Sequence, residues 1–259
     1  MVRQIIRAGK DVITTKPFEL DPESAESVLK ESQVLGRVVH LNSPGPKLPA
    51  DIKLIKRWQK EYELGKPVCF QYFTWAKYQE KPDGSWYDDP QLCPAAPVLR
   101  LGIYGLSDIL RFVRAPVDVS VMQSRIFTDR PTADNAQLSI RFECGALANI
   151  YASFCVNDGV PYPNGMICCF ENGVVYKNCA QGNQGPQTPA ALRLEARPPL
   201  KANPIILQEK VAPEKVSGKY QWQELYNAVV NRDPASDAYI EQICQAIKIL
   251  QTMSKKVTF

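Results

Sequence analysis

Apolar residues in this chain follow a helical period and short strands in turn as far as about Pro116, and mainly a two-residue period after it. The segment Val2–Ala8 reads as the last turns of a helix that Gly9 closes, and Asp11–Thr15 as a short strand running directly into Lys16 and Pro17. Asp21 and Pro22 supply an N-cap and a first-turn proline for a helix to about Leu35, ended by Gly36. Arg37–Leu41 is a second strand, and Asn42–Pro49, with its prolines and glycine, a loop. Ile52, Leu54, Ile55 and Trp58 form the apolar side of a helix over Ala50–Leu64, and Pro67–Lys77 is an aromatic-rich strand. A loop containing Trp86-Tyr87-Asp88-Asp89 leads to Val98–Val113, where Leu99, Ile103, Leu106 and Leu110 recur at helical spacing. On another face of that helix stand Arg100, Tyr104, Asp108 and Arg111.

Beyond Pro116 the pattern predicts consecutive strands at Asp118–Thr128, Ala136–Glu143, Ala146–Val156, Gly165–Glu171, Val174–Lys177, Leu192–Ala196 and Ile205–Val211. Glu143–Ala146 and Glu171–Val174 are the hairpin turns, the second carrying an Asn-Gly pair suited to a tight primed turn. Gln181–Pro189 is an exposed loop, and helices over about Tyr220–Asn231 and Asp237–Ser254 close the chain. The fold class is therefore α/β plus α+β. A partial Rossmann-type parallel layer (1–44) precedes a mostly antiparallel, open-faced β-sheet domain (45–259) with helices on one face. An open apolar sheet face needs a partner, so a homodimer through that face is expected.

Composition narrows the function only a little. A net charge of +4, spread without runs, points away from a nucleic-acid or anionic-membrane partner. No apolar run approaches the ~20 residues that a membrane-spanning helix needs, and a cytoplasmic protein is expected. Eight cysteines lack C-x-x-C spacing and there is one histidine, so buried free thiols and no metal centre are expected. Neither G-x-G-x-x-G nor a P-loop occurs. On the helix at Val98–Val113 two readings stand side by side. A cation one turn before a phenol and a carboxylate one turn after it can assist proton transfer, and the same residues equally make a solvated face of ion pairs.

Three segments in order resemble the glucose–fructose oxidoreductase/inositol dehydrogenase/MocA family. Ala8–Asp21 is similar to its A-G-K-x-V-x-x-E-K-P-x-x-x-(D/S) segment, Gly84–Pro90 lies where the family has G-x-W-R, and Leu101–Arg111 resembles the second signature with the G-I-Y of the glucose–fructose oxidoreductase branch. The resemblance implies an oxidoreductase using NAD or NADP on a sugar or cyclitol. It assigns Lys16 to nicotinamide positioning and polarisation of the reacting oxygen, and Tyr104 to acid/base work. Pro17 and Trp86 are then expected at the cofactor, and Arg100 and Asp108 at the substrate. Trp86 is equally explained as a loop anchor, and His40 is left outside the site.

The departures are Thr15 for the glutamate before the lysine, Tyr87 for the arginine after the tryptophan, and Arg100 for an aspartate. The strand–turn–helix that cradles pyrophosphate in the family is not found in these residues. The expectation is a truncated chain, or a short relative, that holds a dinucleotide poorly by itself. The rival reading is a non-catalytic carbohydrate-binding or dimerisation module derived from the family.

Overall fold

A computed structural model describes residues 1–41, 45–78, 80–179, 188–199, 203–212 and 219–257. Of the loops expected above, residues 42–44 and 181–187 lie outside the described residues. The chain divides into two compact units, one of residues 1–48 and 215–251, the other of 49–214 and 252–259. Residues 215–251 thus group with the N-terminal residues.

The first unit holds α1 (Val2–Arg7), β1 (Val12–Thr14), α2 (Pro22–Val34), β2 (Val39–Leu41), α5 (Lys219–Val230) and most of α6 (Asp237–Lys256). β1 and β2 pair in parallel, Val12 opposite Val39 and Thr14 opposite Leu41. Their apolar surface explains the grouping. Tyr239, Ile240, Ile243 and Ile247 recur on one side of α6 and bury with Ile6, Val28, Leu29, Val39 and Leu41 in one core. Polar ties among these elements include Lys30 Nζ to Asp237 at 2.6 Å, Arg3 to Glu31 at 2.9 Å and Gln251 to Asp21 at 3.3 Å.

The second unit is built on one eight-stranded sheet. Its strands are β3 (Pro67–Trp75), β4 (Pro116–Ser124), β5 (Asn135–Phe142), β6 (Leu147–Ser153), β7 (Asn164–Phe170), β8 (Gly173–Lys177), β9 (Ala190–Ala196) and β10 (Ile205–Val211). They lie in the order β10-β9-β8-β7-β3-β6-β5-β4, all neighbours antiparallel except β3 with β6. Alternation decides the faces. Phe70 and Tyr72, Leu138 and Ile140, Ala148 and Ile150, Cys168 and Phe170, and Leu192 and Leu194 are buried on the side carrying α3 (Ala50–Glu61) and α4 (Ile103–Ile109). Their counterparts, such as Gln71, Gln137, Arg141, Leu147 and Asn149, are exposed on the open side.

Three local expectations are corrected. β4 stops at Ser124 and not at Thr128, because the Asp134 carboxylate accepts the amides of Ile126, Phe127 and Thr128 at 2.7–2.9 Å and folds them into a loop. The second hairpin turns one residue early, with Phe170 opposite Gly173. Asn172 is held by its side chain to the Glu63 carbonyl, and a Cβ on Gly173 would meet the Glu195 carbonyl oxygen at 2.9 Å, so the glycine serves strand packing. The stretch Val98–Val113 is not one regular helix. Val98–Gly102 forms a π turn and Ile103–Ile109 is α-helical, and the extra residue in the turn rotates the side chains before α4 relative to those within it.

Candidate active site

In the first unit, β1 ends where Thr15 and Lys16 begin, so Lys16 leaves the carboxyl end of a parallel strand, the end at which open α/β sheets meet ligands. Its side chain is half-buried, and the Lys16–Pro17 peptide is cis. The next helix, α2, has its N-terminus closed from within: Asp21 accepts the Ser24 amide at 2.8 Å and Glu23 adds a second carboxylate to the first turn. That end repels a phosphate. His40 is buried in the middle of β2, opposite Ile13.

In the second unit, two glycines press the π turn and α4 onto the sheet. A Cβ at Gly102 would sit 2.9 Å from Ile150, and one at Gly105 would sit 2.2 Å from the Tyr72 ring. This close approach fixes the first turn of α4 and leaves Tyr104 pointing outward, 42% exposed. Beneath it, burial pushes the Tyr72 phenol well above the usual range.

Arg100 takes a different direction. Its guanidinium makes a two-pronged pair with Glu80, at 2.7 and 2.9 Å, and lies over the rings of Tyr87, Tyr78 and Phe154 with centroid distances of 4.1, 4.7 and 4.9 Å. The loop carrying Trp86 is held from behind by Arg130, only 7% exposed, which pairs with Asp83 at 3.2 Å, Glu80 at 3.4 Å and Asp88. The hydrogen bond from Arg130 holds the Asp83 carboxyl well below the usual carboxylate range. Trp86, in a short 3₁₀ turn, rests against the Tyr87 ring at 4.2 Å yet stays 38% exposed.

Asp108 turns inward. Lys177, 8% exposed on β8, is 2.5 Å from Asp51 and 3.5 Å from Asp108, and Arg111 lies 3.8 Å from Asp108. Burial raises the Asp108 carboxyl above its ordinary value, only partly opposed by Lys177. At Asp51 burial also pushes upward, but the Lys177 charge and hydrogen bond outweigh it and the carboxyl falls. Lys177 itself is held charged by the two carboxylates against the penalty of its burial.

The expected polar face is thus taken apart. Tyr104 is presented outward, Arg100 pairs with Glu80 and lies over three rings, and Asp108 joins a buried ion cluster. Lys16 and Pro17 belong to one unit, and Trp86, Arg100, Tyr104 and Asp108 to the other. Sequence reasoning missed Arg130, Glu80 and Lys177. Only the last had a local signal, since Lys177 shares the inward phase of β8 with Val175.

A model of the GFO/IDH/MocA C-terminal domain matches residues 52–176. No curated protein sequence matches the chain. Among solved structures, a putative NADPH-dependent oxidoreductase from Desulfitobacterium hafniense is 14% identical with TM-score 0.74, covering 99% of this chain and 73% of its own. An NAD binding oxidoreductase from Klebsiella pneumoniae is 16% identical with TM-score 0.74, covering 99% and 74%. A levoglucosan dehydrogenase in complex with NADH is 13% identical with TM-score 0.72, covering 98% and 73%. At these identities the likeness is one of fold.

Proposed function

We propose, from the match of residues 52–176 to the GFO/IDH/MocA C-terminal domain, that the chain is an NAD(P)-dependent oxidoreductase acting on a hydroxyl of a sugar or cyclitol. The observation that carries the reading is Tyr104, an exposed phenol on a helix turn that two close-packed glycines lock against the family domain's sheet. The names of the similar structures, NADPH-dependent, NAD binding and levoglucosan dehydrogenase, support the cofactor and the substrate class.

The cofactor's share of the chemistry is to exchange a hydride with the substrate carbon. The residues of this chain do the rest. Tyr104 takes the hydroxyl proton as the carbon is oxidised and returns it in the reverse direction. Lys16 is assigned to positioning the nicotinamide, with Pro17 next to it in the chain. Lys16, half-buried at a strand end, suits the nicotinamide end of the molecule; the acid-capped N-terminus of α2 does not suit its pyrophosphate. Trp86 offers an exposed ring, firmly held from behind, for stacking on a sugar or nicotinamide. A cytoplasmic setting fits eight cysteines that are all free thiols. No described helix is long and apolar enough to cross a membrane. A second copy on the open sheet face completes the proposed assembly.

Titration of the chain with NADH and NADPH, followed by nicotinamide fluorescence, tests the reading. Micromolar binding that Lys16→Ala weakens about tenfold or more is expected, as is a turnover drop of about 10²–10⁴ in Tyr104→Phe. No binding at millimolar cofactor would rule out dehydrogenase activity for this chain. The reading that would replace it is a carbohydrate-binding or dimerisation module. The internal commitment of Arg100 and Asp108 favours that alternative, and retained sugar binding without cofactor binding would establish it.

A further inference from the structure

The middle of the open sheet face carries two thiols in direct opposition. β3 and β7 are antiparallel neighbours, and their register sets Cys69 against Cys169, Gln71 against Ile167 and Phe73 against Gly165. All six residues have the open-face phase of their strands, while Phe70 and Cys168, one position along, are buried toward the helices. The row containing the thiols can be followed across the sheet from the registers: Arg141, Leu147, Cys69, Cys169, Val174, Glu195 and Ile206. Both cysteines are free and half-buried.

Opposed residues of an antiparallel pair have Cα atoms about 4.5 or 5.5 Å apart, and a disulfide accepts about 4.4–6.8 Å. The bridge therefore needs no movement of either strand. The neighbouring pair Cys168–Cys169 lacks this advantage, because adjacent strand residues point to opposite faces.

We propose that Cys69 and Cys169 form a redox-responsive dithiol that closes to a cross-strand disulfide, covalently joining β3 to β7 at the centre of the sheet. With a peroxide as oxidant, one thiolate attacks a peroxide oxygen to give a sulfenic acid and one water. The second thiol then attacks that sulfur, the S–S bond forms and a second water leaves, so two thiols and one hydrogen peroxide give one disulfide and two waters. A small-molecule dithiol reverses the step by exchange. Burial pushes the Cys169 thiol up to about 11, reinforced by the Cys69 thiol opposite it, so little thiolate is present at neutral pH. The pair stays reduced in ordinary handling and needs a deliberate oxidant.

This inference does not depend on the oxidoreductase reading. The folded chain, both dilute and concentrated so that a second copy cannot mask the face throughout, is treated with hydrogen peroxide, alkylated and digested without reduction. The expected result is a chain of unchanged size that has lost two hydrogens. One peptide containing Cys69 is joined to the peptide containing Cys168 and Cys169, and fragmentation places the link on Cys169. Cys69→Ser and Cys169→Ser abolish the joined peptide, Cys168→Ser retains it, and dithiothreitol releases it. The proposal is overturned if the exposed Cys144 is oxidised while Cys69 and Cys169 remain alkylatable at both concentrations. It is equally overturned if the products are Cys168–Cys169 links or links between chains.

Discussion

Four buried or half-buried charges, Asp51, Lys177, Asp108 and Arg111, carry the largest single-residue consequences in the sheet unit. Removing the cation between two buried carboxylates leaves Asp51 without its ion pair and Asp108 with Arg111 alone, so Lys177→Met is expected to destabilise by about 3–5 kcal/mol. The two acids behave differently. Asp51 is lowered, so its ionised form favours the fold at neutral pH, and that contribution is lost as the pH falls through its folded value. Asp108 is raised, so its folded form binds the proton more tightly than the unfolded chain does. Its contribution grows as the pH falls through the folded value towards the unfolded one. Asp108→Asn is therefore expected to change stability at pH 7 by less than about 1 kcal/mol, and Asp51→Asn to cost more than that. Urea unfolding of the three variants at pH 7, repeated at acid pH, checks the order. An Asp108→Asn that costs as much as Lys177→Met would refute this division of roles.

At the scale of elements, α4 and its π turn decide where the candidate acid/base residue points. Gly105→Ala puts a Cβ into the Tyr72 ring, and the expected cost is about 1–3 kcal/mol together with a displaced Tyr104. The same substitution made with Tyr72→Leu should cost less, and a cost unchanged by the second substitution would show that the contact is not the cause. This region also marks where the sequence stopped being legible. The buried stripe of Leu99, Ile103, Leu106 and Leu110 is present as the period predicts, because apolar spacing records burial. The π turn left no trace in it, since Val98, Leu101 and Gly102 are buried as well and a nearly continuous apolar run conceals a phase shift. Arg100 then finds Glu80, twenty positions earlier, and Asp108 finds Lys177 on β8. Such pairings come from tertiary placement and have no spacing signature. The strands read well for the opposite reason: from β5 to β9 one face is buried, and a two-residue period states that directly.

At the scale of the whole molecule, the open side of the eight-stranded sheet is a surface still to be accounted for. The registers place Leu147 beside Cys69 and then Cys169 and Val174 in one row, with Phe73 and Tyr151 in the next row but one and Ile206 towards the edge. A second copy on this face would bury that apolar centre and leave the charged ends Arg141 and Glu195 near a polar rim, the usual anatomy of a protein interface. Leu147 is 51% exposed in the single chain, so Leu147→Glu carries little folding cost there but places a charge at the centre of the proposed contact. In sedimentation velocity the parent chain is expected to run as a dimer and Leu147→Glu as a folded monomer. Ile126→Glu, an equally exposed position in the loop after β4, should leave the dimer intact. Should the parent chain run as a monomer at tens of micromolar, or should both variants behave alike, the open face is not the contact between copies.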